Sequence, residues 1–172
     1  MPVVTNTSPL ILLARIGRLR LLRELYGSVL MPPFVKAECI EKGREAGATD
    51  VPGIEGCIAE GWVQLVSLDK EETDEAKRLL HETRIGQGEA EALVLARRRH
   101  ALAVLDDKEA RAIAKGWNLE HTSTVMVLFE AFKREVISYD ELVEDLAKLT
   151  SIMWISTDVI TEMIRRAKEV RR

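Results

Sequence analysis

Five apolar residues, 101–105, run without a break into Asp106-Asp107, and that boundary constrains the fold more than any other feature. A run this short and this apolar reads as a buried strand rather than a helix, which needs ten residues or so. Other short β-branched or apolar runs fall at 2–5, 28–31, 62–66, near 119–122 and at 153–155. Between them the apolar spacing and the capping residues predict helices at 9–15, 19–26, 34–42, 51–60, 69–82, 89–99, 108–115, 123–134, 139–149 and 157–170. The polar stretch 41–50, with Gly43 and Gly47, reads as the main loop. Strands that alternate with helices pair in parallel and carry helices on both faces, so the chain belongs to the α/β class.

A chain of 172 residues buries roughly two thirds of its unfolded surface. One core therefore suffices, and we expect a single domain over 1–172 in which 139–172 supply C-terminal helices of the same unit. The net charge of −3 gives no general attraction to nucleic acid, so any such contact must come from localised cations. Arg165, Arg166, Lys168, Arg171 and Arg172 form a basic tail that reads first as a solvated helix face. Cys39 and Cys57 fit no metal or redox spacing and read as small core residues. With no secretory segment and no apolar run of about 18 residues, the expectation is a cytoplasmic protein without membrane contact.

The ends of the strands carry the chemistry. Ligands of an open parallel sheet bind beyond the strands' C-terminal edge, and there the sequence places Asn6, Asp106 and Asp107, with Glu38 and Glu91 on adjoining helices. Carboxylates gathered at one edge repel one another unless a cation lies among them. Oxygen ligands with few histidines suit Mg²⁺ or Mn²⁺ rather than zinc. Such a metal activates water and supports phosphodiester hydrolysis. Each residue also has a plain structural role open to it. Asp107 serves equally as the N-cap of the next helix, Asp106 as a solvated or supporting residue, and Glu38 as a surface glutamate. Glu91 shares its face with Val94 and Leu95, where an unpartnered carboxylate is uncommon, whereas Glu89 suits the first turn of its helix through the dipole alone. His81, His100 and His121 show no ligand spacing, Trp62, Trp117 and Trp154 lie too far apart in sequence to suggest a stacking platform, and there is no nucleophile elbow or phosphate-binding glycine loop.

Taken in order, five segments resemble the PIN-domain family. Val3-Val4-Thr5-Asn6-Thr7-Ser8-Pro9-Leu10-Ile11 is similar to its opening strand and Asp-x-Ser-x-Leu-Ile, with Asn6 where the family has aspartate. Pro33-Phe34-Val35-Lys36-Ala37-Glu38 resembles its helix-borne glutamate segment. Gly88-Glu89-Ala90-Glu91-Ala92 and Val104-Leu105-Asp106-Asp107-Lys108 resemble the Gly-Glu-x-Glu-Ala and Asp-Asp-Lys segments of a bacterial and archaeal branch. Thr122-Ser123-Thr124 falls where the family has Gly-Thr. The resemblance implies a Rossmann-like, three-layer α/β/α fold around a mostly parallel sheet, and a ribonuclease acting on RNA with Mg²⁺ or Mn²⁺. It implies frequent homodimers and a VapC-like toxin held by an antitoxin protein. Its metal positions carry over to Asn6, Glu38, Glu91 and Asp107, with Asp106 beside them and Ser8 and Thr124 in support. Asn6 removes one negative charge from that set, so a catalytically impaired RNA-binding or protein-binding module is the second reading.

Overall fold

The register of the strands decides which side chains meet at the sheet edge. In the computed structural model, which describes residues 1–170, β1 (Val3–Thr5), β2 (Val29–Met31), β3 (Val63–Leu65), β4 (Leu102–Val104) and β5 (His121–Thr122) form one sheet in the order β3-β2-β1-β4-β5. Val3, Val4 and Thr5 stand opposite Leu102, Ala103 and Val104, and Val4 stands opposite Leu30 on the other side. Every pairing is parallel, so the sheet is wholly rather than mostly so.

Alternation along the strands supplies both cores. Val3 and Val104 pack with α1 (Thr7–Arg15), α2 (Leu21–Tyr26), α5 (Val51–Ala59), α9 (Thr124–Lys133) and α10 (Tyr139–Ile152). Their neighbours Val4, Ala103 and Leu105 pack on the opposite face with α6 (Lys70–Glu82), α7 (Gln87–Arg99) and α8 (Lys108–Gly116). The outcome is the expected three-layer α/β/α arrangement. The last helix, α11 (Thr157–Val170), adds Met163 and Ala167 to the first core. On that side the Arg18 guanidinium reaches Asp145 on α10 at 2.6 Å. Burial pushes the Asp145 carboxyl up, and Arg18 pulls it back down.

Strand order also locates a crevice. After β1 the chain turns toward β2, and after β4 it turns toward β5, so the connections leave these neighbouring strands in opposite directions. At such a switch point the loops part and leave room for a ligand beyond the strand ends. Asn6 follows β1, and Asp106-Asp107 follow β4 two residues beyond its end.

Three expectations change. No strand forms at 153–155: Met153 and Ile155 rest against the first core while Trp154 points outward, 87% exposed. These residues connect two packed helices, and their alternation covers an apolar surface rather than pairing with β5. The helix predicted to end at 42 continues. It begins as α3 (Pro33–Lys36), widens to a π-helical segment over Ala37–Lys42, and closes as α4 (Gly43–Glu45). Gly43 lets that end approach α5, since a Cβ there would lie 2.7 Å from the Val51 side chain. Finally, α7 starts at Gln87, two residues earlier than its apolar pattern suggests. In the basic tail Arg165 pairs with Glu162 and Glu169 and Arg166 lies over Phe129, as a solvated face would; Arg171 and Arg172 fall outside the described residues. Among the described residues no helix is long and apolar enough to cross a membrane.

Candidate active site at the sheet switch point

Asn6 is the centre of the crevice because β1 ends there and α1 begins one residue later. Its backbone N–H still donates to Val104, so the residue is fixed in the ladder and its side chain is fully buried. The side chain does not cap α1. Its Nδ2 instead donates to Glu89 Oε1 at 2.9 Å, and its Oδ1 is buried with no hydrogen-bond partner. An unpartnered buried acceptor costs on the order of 1–3 kcal/mol. Asp50, Trp62, Glu75 and Asp145 also carry buried polar atoms without a hydrogen bond, but of these atoms only that of Asn6 lies at the end of a strand in the crevice.

Glu38 comes to the same place from the π-helical segment. Such segments carry an extra residue per turn and recur at functional sites. Here Glu38 faces the start of α1, where its Oε2 accepts a hydrogen bond of 2.5 Å from Thr7. Lys42 stands 3.8 Å from its other oxygen. Gly88 makes the approach possible. A Cβ at 88 would lie 3.0 Å from Glu38 Oε2 and 3.3 Å from Thr7 Oγ1, so a larger residue would push Glu38 or Thr7 aside. Because Gly88 and Glu89 are adjacent in the first turn of α7, the Asn6–Glu89 and Thr7–Glu38 pairs are neighbours.

The other predicted residues occupy the same edge in different roles. Glu91 turns away from Asn6: its Oε2 accepts from the Phe34 backbone N–H at 3.0 Å and its Oε1 from Gln87 at 2.9 Å. It therefore ties α7 to the start of α3. Asp107 caps α8 through Oδ1, which accepts from the Ala110 N–H at 2.7 Å. Asp106 is held by Thr124 through both the backbone N–H (2.8 Å) and the hydroxyl (2.6 Å). Burial raises its carboxyl above the ordinary range, and the Thr124 bonds and Arg111 act against that rise. Ser8 sits half-buried in the first turn of α1. Among the described residues no three carboxylate, histidine or cysteine side chains converge as a ready-made ion site.

Sequence reasoning assigned Glu89 to the helix dipole and did not single out Thr7, yet their side chains bond Asn6 and Glu38 at this edge. Glu89 had a sufficient explanation in the helix dipole, and the pattern around it could not point to a face. The helix α7 is enclosed on nearly every side, with Ala90, Ala92, Leu93, Val94, Leu95 and Ala96 all buried. The usable signal was the pair Gly86 and Gly88, which lets backbone and carboxylates crowd together at that helix start. Cys39 lies next to this cluster, yet burial, with Glu38 and Asp50 nearby, pushes its thiol up to about 12, which makes it a core residue rather than a nucleophile.

The oxygen-only donor set fits a hard divalent cation. Asn6 Oδ1 and Glu89 lie together at the end of β1, the Thr7–Glu38 pair lies beside them across Gly88, and Asp107 stands at the end of the adjoining strand. No curated protein matches the chain at a significant level. A family model described as a PIN domain matches residues 2–169, nearly the whole chain. The parallel three-layer fold, the acidic crevice at its switch point and this match together show that the chain belongs to the PIN-domain family, a nuclease-type fold.

Proposed function

We propose that the protein is a divalent-metal-dependent endoribonuclease that hydrolyses RNA phosphodiester bonds in the crevice between β1 and β4. The observation that carries this is the buried, unpartnered Asn6 Oδ1 set beside Glu89 and the Thr7-bound Glu38. In this reading Asn6 Oδ1, Glu38, Glu89 and Asp107 hold Mg²⁺ or Mn²⁺. A bound cation of this kind lowers the pKa of a water and offsets negative charge as it builds on the phosphodiester. Thr7 fixes the Glu38 rotamer, and Asn6 holds Glu89 through its amide. Thr124 keeps Asp106 turned toward α9, which leaves the strand end to Asp107. Glu89 takes the place that sequence spacing gave to Glu91. The family resemblance supports further assignments of a toxin role, an antitoxin protein as partner and a homodimer.

A second reading is favoured by the Asn6–Glu89 hydrogen bond itself. A neutral amide satisfies Glu89 without a cation, as a catalytically impaired RNA-binding module would require. One assay separates the two: cleavage of single-stranded RNA by purified protein in Mn²⁺ and in EDTA, with Glu38→Gln as control. We expect cleavage in Mn²⁺, none in EDTA, and a loss of two orders of magnitude or so in the variant, since a missing ligand exceeds the 10–100-fold typical of supporting residues. RNA binding with no metal-dependent cleavage would leave the impaired module standing.

A further inference from the structure

We propose that the groove between α8, the start of α9 and the 153–156 connector holds an unpaired nucleotide next to the cleaved bond, with Trp154 stacking on its base and Lys108 and Arg111 on its phosphates. The inference rests on the ribonuclease reading and extends it to a strand-binding subsite. The groove has a volume of about 570 Å³ and is lined by Asp106, Lys108, Arg111, Met126, Met153 and Trp154, among others. That volume falls in the range of small-ligand pockets and begins at Asp106, immediately beside the candidate metal ligand Asp107.

Charge favours a polyanion there. Lys108, Arg111 and Lys115 recur at i, i+3 and i+7 and so share one face of α8. Among the described residues none of the three forms an ion pair. By contrast, Arg97, Arg98 and Arg99 on α7 are each tied to Glu75 or Glu72. Asp106, the acid in the groove, has both oxygens engaged by Thr124 and feels the Arg111 charge, so the two cations Lys108 and Arg111 outnumber the one acid that lines the groove. Lys115 lies farther along, in a second shallow depression that Glu120 also lines, so the cationic part of the face is Lys108 and Arg111.

Trp154 supplies what the stripe lacks. It is 87% exposed, whereas Trp62 is buried in the first core and Trp117 is covered by Arg97. An open indole beside a cationic track is how single strands are bound without sequence readout. A duplex offers no unstacked base to it, so the site selects single-stranded RNA.

The test is fluorescence anisotropy of a labelled single-stranded oligouridylate, roughly ten nucleotides long, bound in EDTA so that nothing is cleaved. Trp154→Ala is expected to raise Kd about tenfold, a typical loss for one stacked base, while Trp154→Phe stays close to the parent. Lys108→Ala with Arg111→Ala is expected to lower the salt dependence of log Kd by about 0.7 per lost phosphate contact. Unchanged binding in Trp154→Ala overturns the inference. So does equal Trp154 dependence with a matched duplex, or a change in sedimentation without a change in RNA affinity, which makes the face a contact between copies. Cleavage measured in Mn²⁺ keeps the two readings apart. A parent that cleaves, with a Trp154→Ala variant that binds and cleaves like it, loses the groove and keeps the nuclease. Trp154-dependent binding without cleavage does the reverse.

Discussion

Asn6→Asp is expected to unfold well below the parent in EDTA and to recover most of the difference when Mn²⁺ is added. Position 6 is fully buried, and its amide donates to Glu89 at 2.9 Å. A carboxylate there removes the donor and puts two acids at hydrogen-bond distance, so one must take up a proton or the pair must separate. Loss of a buried bond to a charged group, plus repulsion, amounts to about 2–4 kcal/mol. For a chain of this length that corresponds to a fall in Tm of roughly 5–12 °C. Repulsion raises the carboxyl pKa in the folded state, so the variant's deficit is smallest at low pH and grows as pH rises through that value. Cation binding reverses the sign of the pair interaction, and saturation at about a hundred times Kd returns about 2.7 kcal/mol. Differential scanning calorimetry with and without metal reads this directly. A variant whose Tm is indifferent to both EDTA and Mn²⁺ would contradict the placement of a cation at Asn6.

The second large effect separates two glutamates that sit two residues apart. On the proposed reading Glu89→Ala is expected to lose RNA cleavage by two orders of magnitude or more, because there it removes a ligand rather than a supporting group. Glu91→Ala is expected to cleave within about threefold of the parent. Its cost falls on stability, about 1 kcal/mol, since the Phe34 N–H at the start of α3 loses its acceptor. The two substitutions thus divide cleanly between kcat and Tm. The reverse pattern, an inactive Glu91→Ala beside an active Glu89→Ala, would return the metal site to the assignment that sequence spacing suggests.

Those two glutamates also show where sequence stops being legible. The strand ending at Asp106-Asp107 was readable because a run buried on both faces has no polar residue until it leaves the sheet. Alternation of strands and helices then gave the layers, and strand ends gave the edge at which Asn6, Asp106 and Asp107 lie. The rotation of α7 was not readable, because a helix buried nearly all round has no polar face to orient it. Nor was the π-helical widening at Ala37–Lys42, which no residue pattern in that segment marks. At 153–155 an alternating Met-Trp-Ile pattern resembled a strand for the right physical reason, one apolar face, but covered helices rather than joining the sheet. Trp154 accordingly looked isolated among distant tryptophans, and only the packing of the connector brings it to the groove that starts at Asp106.

The central claim is that oxygen atoms of Asn6, Glu38 and Glu89 hold a divalent cation at the sheet switch point. Crystals soaked in Mn²⁺ and measured for anomalous scattering test it most directly. The account predicts an anomalous peak bounded by Asn6 Oδ1, Glu38 and Glu89, with Asp107 on its open side. A crevice without a peak at saturating Mn²⁺, with Asn6 still donating to Glu89, would contradict it.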